Sequence, residues 1–447
     1  MIAHRALPTP DPFSFTMAGA PWVAHEWLAE LVMAGIQGSL GWAGLALVTA
    51  LLFALSILLL TQALRRRFEP LTGLVLVLGS ILLLGPHLFA RAHVIAMPLM
   101  VVWCVELFAA RDDGRAPSRW LLPVMVLWAN IHGSYMFGLA LTGFLAAEAV
   151  IFPGQEVSRR LEARRWGAFL GLAIASACVN ANGVDGVLEP FRISAMPTLH
   201  KTFAEWRSPD FQTAAPLELW LLGMIFVGFA TGAKLRLTRL LLLLGLIHVT
   251  LQHQRHSDLL AVAAPLAIAA SLAPQLNRLT RSDANSWIAR MFALPPTRAS
   301  MQAMALSLGV AILFGGIALL HPVERQDSDI TPGGALSAAR AAGVSGPVLN
   351  NELFGGYLIL SGEKVFIDGR MEMYGDDFLK RYMKLVGGDE AALMGALDAY
   401  GVTWTMLAPD DRALLIIDRL PGWRRIYADK YAVVNARSEP RPSTDVK

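Results

Sequence analysis

Two carboxylates one helical turn apart, Glu26 and Glu30, close the segment Gly19-Ala-Pro-Trp-Val-Ala-His-Glu-Trp-Leu-Ala-Glu30, which follows Asp11-Pro-Phe-Ser-Phe-Thr16. Acids so placed can take a proton from a hydroxyl, share a proton or hold a divalent metal, and Asp11, His25 and Glu26 are the candidates for proton transfer. No cofactor is called for and no metal ligands are assigned, although a divalent metal stays open. The plainer reading of the acids is a solvated face on an interfacial helix. Cations form a second group: Arg91 and His93 on one corner, and His253, Arg255 and His256 with Asp258 on another. They suit a phosphate carried on a lipid, although snorkelling also brings arginines to helix ends. A third group, Glu205-Trp-Arg-Ser-Pro-Asp210 with Val179-Asn-Ala-Asn-Gly183, sets the carboxylate of Glu205 beside the indole of Trp206, the pairing used for stacking on sugars and bonding their hydroxyls.

The elements that position these residues are membrane spans. The chain has 447 residues, 55% hydrophobic and 16% charged, with a mean hydropathy of +0.47, which is too apolar for a soluble protein. A net charge of +3 spread over short connections excludes a nucleic-acid footprint. Cys104 and Cys178 lie in apolar stretches without the spacing of a zinc site or redox pair. Residues 1–15 carry prolines and an acid where a cleaved export signal needs a basic start and an apolar run. Apolar runs predict about ten spans, near 40–62, 70–88, 93–110, 119–130, 134–152, 166–180, 214–232, 238–251, 258–274 and 300–320. Arginines and lysines gather in alternate connections, at Arg65–Arg67, Arg111–Arg119, Arg159–Arg165, Lys234–Arg239 and Arg278–Arg298, which the positive-inside rule makes cytoplasmic. All ten histidines then fall on the outer side, His248 about a turn from it. Trp128-Ala-Asn-Ile-His-Gly-Ser134 interrupts apolar helix, and polar backbone at that depth needs protein or a wet cavity around it, so Asn130 and His132 either line such a cavity or bond two half-helices together.

Three regions follow: 1–39 as an outer loop with an amphipathic helix, 40–320 as the multi-span domain, and 321–447 as a small α/β domain outside the membrane. In the last, Thr331-Pro332 opens a helix, with strands at 347–349, 364–368 and 402–407, helices at 376–386, 389–400 and 409–420, and two strands around Asp429-Lys430. Gly355-Gly356 lacks the spacing of a phosphate loop. Asp368-Gly-Arg370 ends a strand, so Asp368 and Arg370 are either ligand-binding groups at a sheet's carboxyl edge or a salt-bridged turn.

Taken in order, Asp11-Pro-Phe-Ser-Phe-Thr16 with Trp22 to Glu30, Trp128-Ala-Asn-Ile-His-Gly133, Asn180 to Gly183, Glu205-Trp-Arg-Ser-Pro209, and Gly355-Gly-Tyr357 to Phe366-Ile-Asp-Gly-Arg370 resemble bacterial integral membrane proteins of the GT-C glycosyltransferase class, which includes the protein mannosyltransferases and lipid A aminoarabinose transferases. The resemblance spans most of the chain and implies a mostly α polytopic GT-C-like bundle in the bacterial inner membrane, with its C-terminus periplasmic. It implies transfer of a sugar from a polyprenyl-phosphate carrier to a glycan, lipid or protein acceptor, with an outer-loop acid as base or acceptor-orienting group. The usual cytoplasmic N-terminus, first span and first acidic loop would precede the segment that opens this sequence, so either the start lies upstream or the protein is a shortened relative, and Asp11 takes the acid's role by default. Arg91, Arg255 and His256 would hold the donor phosphate, with Asn130, His132, Glu205 and Trp206 beside the substrate. A transporter or flippase of lipid-linked sugar, or a non-catalytic membrane scaffold with a periplasmic binding domain, are the alternatives.

Overall fold

The computed structural model describes residues 7–154, 157–213, 215–279 and 325–438, with 309, 313 and 317 singly. Apart from those three, the expected span at 300–320 lies outside the described residues, as do Arg281, Arg290, Arg298, His4 and His321. The chain divides into two compact units. A helical unit takes the described residues of His25–Pro190 and Thr202–Val323, and a sheet unit takes those of Met1–Ala24, Phe191–Lys201 and Glu324–Lys447.

The helical unit is built from α1 (Trp27–Leu64), α2 (Pro70–Leu84), α3 (Ala92–Asp112), α4 (Leu121–Ile131), α5 (Tyr135–Ile151) and α6 (Arg159–Ala177). After α7 (Gly183–Ser194) and α8 (Pro197–Thr202), which the two units share, it continues with α9 (Pro216–Thr231), α10 (Leu237–Gln252) and α11 (Ser257–Leu279). α1 is broken at Gly41, whose φ of +65° a side-chain-bearing residue adopts only with strain. The break falls beside the expected boundary between interfacial helix and first span. Local chemistry sets other ends: Pro70 occupies the first turn of α2, the Ser158 hydroxyl accepts the Leu161 N–H at the start of α6, and Gly232 closes α9 at φ +58°.

Among the described residues, four helices are long and apolar enough to cross a membrane: Trp27–Leu64, Pro70–His87, Ala92–Asp112 and Gln254–Arg278. Four shorter apolar helices, α4, α5, α9 and α10, fall where spans are expected. Segments of that length serve at membrane depth where they meet protein rather than lipid. α6 departs from expectation: it begins at Arg159 and ends at Ala177, so its apolar part after Arg165 is too short to span alone. Trp103 and Trp128 are fully buried between α3, α4 and α5, and the Trp103 indole donates to Gly138 O at 3.0 Å. Gly138 admits the Trp128 ring, because a Cβ there would sit 2.6 Å from it.

At the ends of α3 and α5 away from the Trp128–Ser134 break, Arg239 is 1% exposed and lies 3.0 Å from Asp112 and 3.2 Å from Glu148. Arg111 reaches Glu148 at 3.2 Å and Arg67 reaches Asp112 at 3.7 Å. Arg239, expected only as a topogenic charge, is thus the centre of a buried ion-pair network.

The sheet unit holds α12 (Gly333–Ala341), β1 (Val348–Asn350), α13 (Gly355–Leu360), α14 (Met371–Val386), α15 (Glu390–Ala399), β2 (Trp404–Leu407), α16 (Leu414–Ile417), β3 (Trp423–Ala428) and β4 (Val433–Arg437). Its sheet runs β1-β2-β4-β3, with β1 and β2 parallel and the other pairs antiparallel. The alternation of strands and helices agrees with the α/β expectation, with three corrections. Thr331 is not the N-cap, since α12 begins at Gly333 after Pro332. The helix expected over 409–420 is confined to α16. Residues 364–368 are not a strand of the sheet: Val365 bridges to Ser14 in parallel sense, and Thr16 Oγ1 donates to Phe366 O at 2.6 Å. The N-terminal segment is therefore part of this unit. Gly355 is required by close approach, because a Cβ would meet Ile367 O at 2.5 Å and Asp368 Cα at 2.6 Å.

Candidate functional site

One end of the helical unit gathers most of the residues singled out for chemistry. Glu26 immediately precedes α1 without bonding its free N–H groups, and its Oε1 lies 3.5 Å from His132 Nε2 and 3.9 Å from His25 Nε2. Its side chain keeps 31% exposure. Burial raises the carboxyl above the ordinary glutamate value, partly countered by the charge of His25, and the neighbouring Glu30 pushes the same way as burial. Arg255 and Arg91 are the next charges that Glu26 senses. A carboxylate partly desolvated, beside a histidine and in the field of two guanidiniums, can accept a proton.

The turn between α4 and α5 places His132. Asn130 sits on the last turn of α4, where its amide donates to Val126 O at 2.8 Å and Val179 O at 2.9 Å while its Oδ1 accepts the Trp27 indole N–H at 2.8 Å. Asn130 thus fastens the start of α1 to α4 and to the loop after α6. It also lines, with Trp27, Val126, Val179 and Asn180, a cavity of about 690 Å³ whose other walls are largely apolar. Of the two roles weighed for Asn130, the hydrogen bonds show the one that fastens helices together. His132 is not among the lining residues.

The corner between α10 and α11 supplies the cations. Arg255 stacks on Trp206, its guanidinium carbon 4.2 Å from the ring centroid. His253 Nδ1 bonds Trp206 O, and its ring lies 5.6 Å from that of His256. His256 Nδ1 is 3.2 Å from Val249 O. Arg91 pairs with Glu205, so the Glu205-Trp206 pair is held between two arginines. The sequence left two connections unseen. His87 Nε2 meets Ser257 Oγ at 2.6 Å, tying the Arg91 corner to the Arg255 corner, and His93 Nε2 meets His87 O at 2.7 Å while its ring lies 6.2 Å from His132. The signal for these contacts was the histidine count on one side of the spans; the pairing was not encoded in any spacing.

Asp11, Asp368 and Arg370 belong to the sheet unit and form a site of another kind. Arg370 donates to Asp11 Oδ1 at 2.7 Å and to Asp368 at 2.8 and 2.6 Å. Its guanidinium carbon lies 5.1 Å from the Phe13 ring centroid and 4.7 Å from that of Trp22. Asp11 also accepts the Phe13 and Ser14 N–H groups, each at 3.0 Å, and the Ser14 hydroxyl. Burial pushes the Asp11 carboxyl up, but the bonds from Ser14, Phe13 and Arg370 outweigh it and hold the pKa below the ordinary aspartate value. Tyr374 OH adds a bond to Asp368 at 2.9 Å. Asp11, expected as the base, instead has no side-chain exposure and both oxygens occupied; a carboxylate so saturated anchors a loop. Of the two meanings of Asp368-Gly-Arg370, the geometry is that of the salt-bridged turn, and no sheet strand ends there. Among the described residues no group of three or more potential ligands could hold a metal.

No protein-family model matches the chain, and no curated protein matches it. Among solved structures it is similar to the crystal structure of ArnT from Cupriavidus metallidurans bound to undecaprenyl phosphate, with 16% identity and a TM-score of 0.44 over 92% of this chain and 87% of that chain. A likeness of that degree carries none of the reading below, which rests on the residues themselves.

Proposed function

We propose that this chain is a membrane glycosyltransferase that moves a sugar from a polyprenyl-phosphate carrier to a hydroxyl acceptor at the outer face of a bacterial inner membrane. The observation that carries the reading is the placement of Glu26, paired with His132, within the field of Arg91 and Arg255 in one unit. In the step proposed, Glu26 takes the proton of the acceptor hydroxyl as its oxygen bonds to the anomeric carbon. The bond from that carbon to the phosphate oxygen breaks, and polyprenyl phosphate leaves. Attack opposite the leaving group inverts the anomeric centre. Arg255 and Arg91 offset the charge that grows on the departing phosphate. Trp206 and Glu205 supply an aromatic face and a hydroxyl partner for the sugar. The motif order shared with the GT-C class supports the same reading. The sheet unit would then lie in the periplasm, a placement that the alternation of basic connections in the sequence supports.

Binding of a polyprenyl-phosphate sugar to the protein in lipid nanodiscs tests the phosphate assignment. A charge-assisted hydrogen bond contributes about 1.5 to 3 kcal/mol, so Arg255→Ala weakens binding roughly ten- to a hundredfold. Arg91→Ala is expected to do less, because Arg91 is already paired with Glu205. Unchanged binding in both variants, or use of a nucleotide sugar without a lipid carrier, contradicts the assignment.

A further inference from the structure

The proton on His132 has a fixed place. Ring Nδ1 lies 3.2 Å from the backbone N–H of Ser134, a group that can only donate, and 2.8 Å from the Ser134 hydroxyl. That hydroxyl oxygen accepts the indole N–H of buried Trp128 at 2.9 Å, which leaves its own hydrogen for Nδ1. With two donors converging on it, Nδ1 presents its lone pair, and a neutral imidazole in that state carries its hydrogen on Nε2. Nε2 is the atom 3.5 Å from Glu26 Oε1.

We propose that His132 acts as a neutral hydrogen-bond donor to Glu26, held as the Nε2–H tautomer by Ser134 and Trp128, which are thereby positioning residues of the site. The catalytic consequence rests on the reading of Glu26 as the base; the tautomer rests on the hydrogen bonds alone. Adding a second proton at Nδ1 would set N–H against N–H, at the first turn of α5 where the free helix N–H groups already oppose positive charge. Burial of the ring, and after it the charges of Arg255, His93, His25 and Arg91, act in the same direction. This matters for the base. An imidazolium beside Glu26 would stabilise the carboxylate and make it a poorer proton acceptor, whereas a neutral donor orients one oxygen and leaves the other basic. Trp128 keeps its place because Gly138 has no side chain to displace the indole.

The test is solid-state NMR of protein labelled with 15N-histidine in lipid bilayers near neutral pH, with the His132 signals identified by their loss in His132→Gln. The wild type is expected to show a protonated Nε2 and a bare Nδ1. Trp128→Phe, which frees the Ser134 hydroxyl oxygen to accept a hydrogen bond from Nδ1, is expected to mix the tautomers and lower transfer about tenfold, whereas Ser134→Ala, which keeps the backbone donor to Nδ1, is expected to hold the wild-type tautomer. A protonated Nδ1 or an imidazolium in the wild type overturns the proposal, as does a Trp128→Phe spectrum identical to the wild type. If the spectra are as expected and wild-type protein transfers no sugar, the tautomer assignment stands and the transferase reading falls.

Discussion

Arg370 and Asp11 stand 359 positions apart in the chain and meet through a 2.7 Å hydrogen bond with the guanidinium lying near the Phe13 and Trp22 rings. The contact makes the N-terminal segment a component of the sheet unit. It also leaves Asp11 buried and saturated with donors, which is why the reading proposed above gives the base to Glu26.

Asp11→Asn therefore acts on stability. Breaking a buried charged pair typically costs about 3 kcal/mol, and the loss should read as a lower Tm for the chain in detergent or nanodiscs at neutral pH. Because the folded-state pKa of Asp11 lies below its ordinary value, its ionised form stabilises the fold above the unfolded-state pKa, and that contribution is lost as pH falls through the folded-state pKa. The Tm gap between wild type and Asp11→Asn should accordingly narrow on acidification. A gap that widens would show that Asp11 is not held as a carboxylate.

The opposite end of the helical unit has its own charge test. Arg239→Ala leaves Glu148, 2% exposed, and Asp112, 6% exposed, short of a buried partner, and should lower folded yield or Tm by an amount equivalent to about 3 to 5 kcal/mol. A single variant as stable as wild type would mean that the network contributes nothing.

Burial raises the Glu26 carboxyl, and a general base works only when ionised. The rate of transfer should therefore fall, on lowering the pH, at a value above that of an ordinary glutamate. Exchanging the opposing His25 for Gln removes a charge that favours the carboxylate and should move this acid limb higher still. An acid limb at the ordinary carboxylate value, insensitive to His25→Gln, would assign the limb to another group.

Much of the helical unit is legible from the sequence because lipid imposes one rule on it. A stretch such as Pro70–Leu84 must be helical wherever it is apolar and long enough, and α2, α3, α5, α10 and α11 begin and end within a few residues of the apolar runs. The residues 364–368 show where that kind of reasoning stops. Val365, Phe366 and Ile367 have a strand's composition and are almost wholly buried, yet the partner of Val365 is Ser14, a pairing that no local pattern announces. Glu26 and His132 present the same difficulty. Each stands out as a polar residue bordering apolar helix, but their meeting depends on Asn130 fixing Trp27 to the end of α4. Arg239 was hidden differently: an arginine in a basic connection already has an explanation in topology, and its burial between Asp112 and Glu148 comes from helix packing.

The central claim is that Glu26 accepts the proton of the sugar acceptor. The most direct measurement is single-turnover release of polyprenyl phosphate from a polyprenyl-phosphate sugar, with acceptor supplied from membrane extract, comparing wild type with Glu26→Gln, which keeps the size and removes the basicity. Donor binding should be retained within a few-fold, while the rate of release falls roughly 10² to 10⁴-fold, the contribution typical of a general base. Glu26→Gln protein that turns over at the wild-type rate would contradict the account.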